Sequence, residues 1–239
     1  MFRKIALSVS VLLAGGMALP ALSADLADRG PADWAGLYFG GQLGWSHGKM
    51  NLHDLDGYNG PPPFSYKDNG VTGRAYMGYN FQQESLVFSP EIGLGFLGIK
   101  DSQQYPPYIG VRLPSDSAAS MKAGFFASVT GRIGIAWDRF LLYGRGGWIG
   151  ARMKASFIDN DPTGTILVSG TSRKKFKSGY TVGGGLEWAL TDQMALRLEY
   201  MYADLGKITH TAVDSFANRY KFRHDMKMHR VMVGVTARF

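Results

Sequence analysis

The sequence has no cysteine among its 239 residues. This absence excludes thiol catalysis, disulfide bonds and any metal site with thiolate ligands. An exported protein of this size can use disulfides but does not need them, so the absence leaves the compartment open.

The sequence also lacks any apolar run long enough to cross a membrane as a helix, and its longest candidate lies at the N-terminus. The first 23 residues fit a secretory signal peptide, with Arg3 and Lys4 as the basic start and residues 5–19 as the apolar centre. Cleavage after Ser23 and cleavage after Ala24 both fit the small residues that follow. A short membrane anchor is the alternative, but the run is shorter than the ~20 residues a spanning helix needs. We therefore predict a removed signal peptide at 1–23, a short periplasmic segment at 24–33 and one folded domain at 34–239.

The last ten residues alternate strictly between apolar and mixed side chains. One face carries Val231, Val233, Val235, Ala237 and Phe239, and the other carries Arg230, Met232, Gly234, Thr236 and Arg238. Such alternation predicts a β-strand, because successive side chains leave opposite faces of the pleat. A strand of a soluble antiparallel sheet can show the same pattern, so the decision depends on the rest of the chain.

The same alternation recurs in seven earlier segments. We predict strands at 34–46, 70–81, 86–99, 122–137, 140–154, 175–190 and 194–204, and an eighth that ends at Phe239. Long loops at 47–69, 100–121, 155–174 and 205–224 alternate with short turns at 82–84, 138–139 and 191–193. Long loops on one side and short turns on the other are typical of outer-membrane barrels. The sequence therefore predicts an all-β, eight-stranded antiparallel transmembrane β-barrel with long extracellular loops and short periplasmic turns.

Aromatic residues fall where the girdles of such a barrel should lie. The expected periplasmic girdle is Trp34, Phe81, Trp137, Phe140, Trp188 and Phe239, and the expected outer girdle is Trp45, Phe96 and Tyr202. Pro90 conflicts with its strand, because it has no N–H to donate and a closed barrel has no free edge. We expect a bulge near the periplasmic rim at this position.

At this point the sequence resembles a known family. The opening Trp34-Ala-Gly-Leu-Tyr-Phe-Gly-Gly-Gln-Leu-Gly-Trp45 and the Arg-Phe ending are similar to the small OmpA-like β-barrel proteins of alpha-proteobacterial outer membranes. The resemblance implies location in the bacterial outer membrane. It also implies that Phe239 is part of the signal read by the outer-membrane insertion machinery.

Charged residues are predicted on the inward face of the barrel. They are Arg74, Glu91, Arg132, Arg145, Glu187, Arg197, Glu199 and Arg230. Buried charges need partners, and an eight-stranded barrel is just wide enough for side chains to fill it. We expect an interlocked plug, and the alternative is a narrow gated pore.

The five histidines map to the first and fourth predicted loops or to the adjoining strand end. They are His47, His53, His210, His224 and His229, with Met50, Met226 and Met228 nearby. The first and last strands of a closed barrel are neighbours, so these loops share one side of the rim. Imidazole and thioether groups can bind haem or transition metals, and some relatives in the resembled family are known as haemin-binding proteins. Exposed histidines without a ligand are the simpler interpretation, so no cofactor is expected and haemin is the alternative.

The chain without its first 23 residues carries 24 basic and 19 acidic residues, a net charge near +5. No nucleic-acid-binding module is recognisable, so anionic lipopolysaccharide is the favoured partner, beside outer-membrane lipid. Basic residues crowd the outer rim at Arg152, Lys154, Arg173, Lys174, Lys175, Lys177, Arg219, Lys221, Arg223 and Lys227. They can pair with lipid phosphates or be ordinary solvated charges.

These observations predict a structural outer-membrane protein that supports membrane integrity and presents its loops at the surface. A haemin or ligand receptor using loops 1 and 4 and a narrow low-conductance porin are the alternatives. His210, Asp214 and Ser215 lie close in sequence, but a triad depends on spatial arrangement and such loop residues are common. We therefore predict no enzymatic activity.

Overall fold

The computed structural model describes residues 30–56, 64–104, 118–160, 166–171, 175–214 and 216–239. The predicted signal peptide and residues 24–29 lie outside these ranges. The described residues form nine strands: β1 Gly36–Asp54, β2 Phe64–Gln83, β3 Leu86–Gln104, β4 Ala118–Trp137, β5 Phe140–Asn160, β6 Ile166–Thr171, β7 Lys175–Ala189, β8 Met194–Asp214 and β9 Arg219–Arg238. Within the described ranges, no helix is long and apolar enough to cross a membrane.

Antiparallel pairing closes these strands into a barrel. Each of β1 to β4 pairs with its successor, β5 pairs with β7, β7 pairs with β8, and β9 pairs with both β8 and β1. The short β6 pairs with β5 and β8, so it continues the wall position of β7. The ring therefore has eight wall positions, and the predicted eight-stranded barrel is confirmed.

In the part of the barrel nearer the short turns, the outward side chains form an apolar belt. Leu43 is 62% exposed and Ile133 is 57% exposed, although both are large and apolar. The inward side chains at the same level include buried arginines and glutamates. Soluble proteins bury apolar side chains and expose charged ones, and this barrel does the opposite, as expected where hydrocarbon surrounds the wall. Closure of the barrel also leaves no unpaired strand edge in the hydrocarbon.

The strands run well beyond the segments predicted from sequence. β1 continues to Asp54 and β2 begins at Phe64, so much of predicted loop 47–69 is paired strand. Predicted loop 205–224 is largely the hairpin of β8 and β9. The predicted loop bounds were wrong because above the membrane the outward side chains are polar, and their composition resembles that of loops.

The polarity of the two faces reverses along each of these long strands. Up to Trp45 the outward residues of β1 are apolar, whereas beyond it His47, Lys49 and Asn51 face outward. The inward residues change in the opposite sense, since Met50 and Leu52 are fully buried. The membrane surface therefore lies between the rows of Trp45 and His47, and the strands project beyond it.

Short turns close the other end of the barrel, as predicted. Glu84 and Asp138 adopt φ values of 53° and 50° in the β2–β3 and β4–β5 turns. Pro90 does not sit in a bulge, so that prediction was wrong. The β2–β3 pairing keeps one register from Gly78–Glu91 to Phe81–Phe88, with the two positions between them unpaired. Register shifts occur instead near the outer end of the apolar belt, at Phe96/Ile99 and Asp204/Lys207.

Candidate functional site: the filled lumen

The lumen of the barrel is filled by three layers of side chains. The middle layer is ionic, and apolar layers lie on its outer and periplasmic sides. We describe the ionic layer first because it contains most of the residues that the sequence singled out.

Glu91 of β3 and Glu199 of β8 are the centres of the ionic layer. Arg145 Nη1 lies 3.0 Å from Glu91 Oε1 and 2.7 Å from Glu199 Oε1. Arg197 contacts the same two carboxylates at 2.8 and 2.6 Å. Arg74 also pairs with Glu91, and its Nη1 lies 3.5 Å from Glu199 Oε1. Each carboxylate is therefore shared by three guanidinium groups.

A second pair joins β4 to β7 within the same layer. Arg132 binds Glu187, and its Nη2 donates to Asn80 Oδ1 at 2.8 Å. Arg197 Nε lies 3.6 Å from Glu187 Oε1 and so links this pair to the central cluster. No side chain of these ion pairs is more than 2% exposed. In such surroundings each charge depends on its partners, because an unpaired buried ion costs several kcal/mol.

Tyrosines complete the hydrogen bonding of the carboxylates. Tyr38 Oη donates to Glu91 Oε2 at 3.0 Å, and Tyr143 Oη donates to Glu199 Oε2 at 2.9 Å. The Arg132 guanidinium lies over both rings, 4.6 and 4.8 Å from their centroids. Sequence reasoning did not place these tyrosines in the network, although the period-two alternation puts them on the inward face.

Glycines on the inner wall make room for these tyrosines. A Cβ on Gly78 would collide with the Tyr38 ring, and a Cβ on Gly185 would collide with the Tyr143 ring. The high glycine content within the strands therefore serves close approach of bulky neighbours.

Arg230 differs from the other seven predicted lumen residues. It is buried, and its guanidinium lies over the Phe126 ring at 4.9 Å. Among the described residues, no carboxylate lies within ion-pair distance of it. Arg230 therefore marks the boundary between the ionic layer and the apolar layer above.

The outer apolar layer fills the part of the barrel near and above the membrane surface. Its fully buried side chains include Met50, Leu52, Ile99, Phe126, Ile149, Phe222, Met226 and Met228. Ions that crossed this layer would lose their hydration without gaining polar partners. The layer therefore opposes permeation even before the ionic network is reached.

The periplasmic apolar layer is built around Trp34. This indole is 0% exposed and packs with Val87, Leu141 and Ala195. The predicted place of Trp34 in the outward girdle was wrong, because β1 begins only at Gly36 and the preceding residues turn into the barrel mouth. Asn80 Nδ2 donates to the Trp34 carbonyl oxygen at 2.6 Å, and the backbone N–H of Trp34 donates to Gln82 Oε1.

The remaining periplasmic aromatics face outward. Phe239 stacks on Phe39 with 5.2 Å between ring centroids, and Phe140 lies between Trp137 and Trp188 at 5.8 and 6.2 Å. The outer aromatics Trp45 and Phe96 are 55% and 46% exposed. These rings mark the two limits of the apolar belt.

Among the side chains that the structure describes, the histidines form no single cluster, although His47 and His229 are paired in register on neighbouring strands. His47 and His229 face outward and bind Asn69 Oδ1 and Tyr200 Oη, each at 2.7 Å. His53 pairs with Asp225 at 3.3 Å, whereas His224 faces into the lumen. All five histidines lie in strands. The predicted loop positions of His47, His53, His210 and His224 were therefore wrong, whereas His229 lies at the strand end where it was predicted. The backbone of His210 is in β8, and its side chain lies outside the described part.

The geometry of the described residues supports neither a metal site nor the catalytic triad that the sequence analysis considered. The described residues contain no group of three histidine, aspartate or glutamate side chains that could hold a metal ion. Ser215 of the weighed triad lies outside the described residues, as do the side chains of His210 and Asp214. Haemin binding therefore stays a prediction.

The basic residues of the outer rim lie on the projecting walls. Arg152 and Lys154 are exposed on β5, and Arg219, Lys221 and Lys227 are exposed on β9. Arg223 lies 3.8 Å from Asp225. Arg173 and Lys174 fall outside the described residues. Pairing with lipid phosphates stays a prediction for this group as a whole.

Comparison with known proteins agrees with this architecture. The model of the family described as outer membrane protein beta-barrel domain matches residues 9–239. The 31 kDa outer-membrane immunogenic protein of Brucella melitensis biotype 1 is 28% identical, with 96% of this chain and 99% of the relative covered. The 22 kDa outer membrane protein of Rhizobium leguminosarum bv. viciae is 32% identical over 72% of this chain and 64% of the relative.

Solved structures with the same fold include OprG of Pseudomonas aeruginosa, at a TM-score of 0.56 and 12% identity. The alignment covers 87% of this chain and 98% of OprG. The outer membrane protease OmpT of Escherichia coli aligns with a TM-score of 0.53 and 11% identity, covering 88% and 98% of the two chains. At these identities the likeness concerns the fold alone.

Proposed function

We propose that this chain, which belongs to the family of outer membrane protein β-barrel domains, is a structural barrel with a sealed lumen. The protein resides in the bacterial outer membrane. In the proposed role it reinforces the membrane and holds a rigid strand platform above the surface. It neither conducts solutes nor performs catalysis.

The observation that carries the proposal is the three-layer filling of the lumen. A diffusion pore needs a continuous polar path, whereas this lumen alternates apolar, ionic and apolar layers along its axis. Each glutamate at the centre of the ionic layer is contacted by three arginines and one tyrosine. Opening a path would expose charges that depend on these partners, so the filling supports stability rather than transport.

The projecting strands support a role in surface presentation. β8 and β9 stay paired beyond the membrane surface as far as Val213 and Arg219. A relative in Brucella melitensis biotype 1 carries the name of an immunogenic outer-membrane protein. We extend that property to this chain on the grounds of its projecting walls, which antibodies can reach from outside the cell.

A deletion strain tests the proposed function. We expect loss of the gene to increase sensitivity of intact cells to anionic detergent while leaving the uptake rate of small hydrophilic solutes unchanged. Plasmid-borne wild-type protein should restore resistance. Unchanged detergent sensitivity together with slower solute uptake would contradict the structural role and favour the porin alternative.

A further inference from the structure

A row of lysines crosses three neighbouring strands on the outside of the barrel. Lys49 of β1 is paired in register with Lys67 of β2 on one side and with Lys227 of β9 on the other. All three side chains are exposed. Among the described residues, no carboxylate lies within ion-pair distance of any of the three. Like charges directly opposite each other on a sheet are destabilising, so an anion between Lys49 and Lys67 would stabilise this row.

The row lies just above the membrane surface. The next outward row toward the membrane is Asn69, His47 and His229, and the row after that is Val71, Trp45 and Val231. The lysines are therefore one polar row above the apolar belt. Phosphate groups of outer-leaflet lipids lie at this height, and ammonium–phosphate pairs are charge-assisted hydrogen bonds.

An apolar groove lies below the lysines on the same strands. It has a volume of about 770 Å³, and its outward-facing lining is Gly41, Leu43, Gly73, Ala75, Leu94, Phe96, Val233 and Val235. Gly41 and Ala75 form the open floor, whereas the Leu43 and Phe96 side chains lie over Gly73 and, with the other flanking side chains, form the walls. Within the lipid-facing belt, the occupant of such a groove must itself be apolar.

The distance between lysine row and groove matches one lipid molecule. Lys67 and Gly73 are six residues apart on β2, which corresponds to about 20 Å along the strand. With a strand tilt of about 40°, the depth is about 15 Å, half the thickness of a bilayer's hydrocarbon. A lipid whose phosphate meets the lysines can therefore place an acyl chain in the groove within a single leaflet.

We propose that the outer surface of β9, β1 and β2 is a specific binding site for lipopolysaccharide, with a lipid A phosphate on Lys49, Lys67 and Lys227 and an acyl chain in the groove. Lipopolysaccharide is favoured over a glycerophospholipid because a row of three lysines suits a headgroup with more than one phosphate. Asp204 is paired in register with Lys227 on its far side, so the phosphate lies mainly between Lys49 and Lys67.

The chain offers matched variants for both halves of the site. Lys49→Gln with Lys67→Gln removes two cations above the groove. Lys122→Gln with Lys154→Gln removes two exposed cations from a second row on the opposite wall, in which Lys100, Lys122 and Lys154 are paired in register. Gly41→Phe fills the groove, because a Cβ at Gly41 meets nothing closer than 4.0 Å. Gly144→Phe makes the same change at an equally open position on β5.

Native mass spectrometry of the refolded full chain in detergent tests the proposal, with bisphosphorylated lipid A, dephosphorylated lipid A and phosphatidylglycerol titrated separately. We expect one bisphosphorylated lipid A per barrel, and at least about tenfold weaker binding of the other two lipids. The Lys49/Lys67 and Gly41 variants should bind lipid A at least about tenfold more weakly, with the two controls unchanged.

Two results would overturn the proposal. Equal weakening in the Lys122/Lys154 control would show that binding follows net charge, or any row of lysines, rather than this site. Equal affinity for phosphatidylglycerol would show an anionic-lipid surface without preference for lipopolysaccharide. Neither result depends on whether the lumen is sealed, so this test is independent of the proposed structural role.

Discussion

At the scale of single residues, Glu91 is one of the two centres of the ionic layer. Its two oxygens are contacted by Arg74, Arg145 and Arg197, and Tyr38 donates a further hydrogen bond. In Glu91→Gln these arginines keep their charges but lose one of their shared carboxylates. Removal of one partner from a buried ion pair typically destabilises a protein by about 3–5 kcal/mol.

We therefore predict that Glu91→Gln lowers the free energy of unfolding by about 3–5 kcal/mol. The measurement is the urea midpoint of the compact, heat-modifiable form on a gel. Glu84→Gln is the matched control, because Glu84 is exposed in the β2–β3 turn and its change should stay within about 0.5 kcal/mol. Equal midpoints for the two variants would mean that the network does not stabilise the barrel.

At the scale of the strands, the reversal of polarity between the two faces sets the height of the membrane. On β2, Ser65 faces outward above the surface and Ala75 faces outward within the apolar belt. Ser85 is exposed at the opposite end, next to the β2–β3 turn. Because the chain has no natural cysteine, a single cysteine introduced at any of these positions can be labelled without background from other thiols.

We predict that a membrane-impermeant maleimide applied to intact cells labels Ser65→Cys and labels neither Ala75→Cys nor Ser85→Cys. Permeabilising the outer membrane should make Ser85→Cys reactive and leave Ala75→Cys protected. The wild-type chain gives the background. An unreactive Ser65→Cys on intact cells would contradict the projection of β2 above the membrane.

The same reversal explains what sequence could and could not provide. The belt strands were predictable because lipid outside the wall enforces apolar outward residues with period two. The projecting segment 219–230 alternates just as regularly, but its apolar residues Phe222, Met226 and Met228 face inward. Its polar outward residues resemble those of a loop, so sequence reasoning ended the strands at the membrane surface.

The partners of the inward side chains were harder to predict from the sequence than the positions of the strands. The inward place of Arg145 and Glu199 follows from alternation alone, whereas their contact joins β5 to β8 across the lumen. Such a contact depends on the barrel radius and on glycines such as Gly185 that admit the Tyr143 ring. The turn of Trp34 into the periplasmic mouth likewise leaves no periodic pattern in the sequence, because it depends on hydrogen bonds from the Trp34 backbone to Asn80 and Gln82.

At the scale of the whole molecule, the central claim is that the lumen is closed at three successive depths. The apolar layer near the surface, the ionic layer and the layer around Trp34 each oppose the passage of hydrated ions. An eight-stranded barrel is narrow enough for side chains alone to achieve this. In the proposed function, the wall then serves as a transmembrane support for the strands above it.

Single-channel recording of the refolded protein in planar bilayers tests this claim most directly. We predict no discrete current steps above those of protein-free membranes in concentrated potassium chloride, at either polarity. A known open porin recorded in the same bilayers confirms that insertion can be detected, and gel migration of the recovered protein confirms that it is folded. Reproducible current steps from the folded wild-type barrel would contradict the sealed lumen.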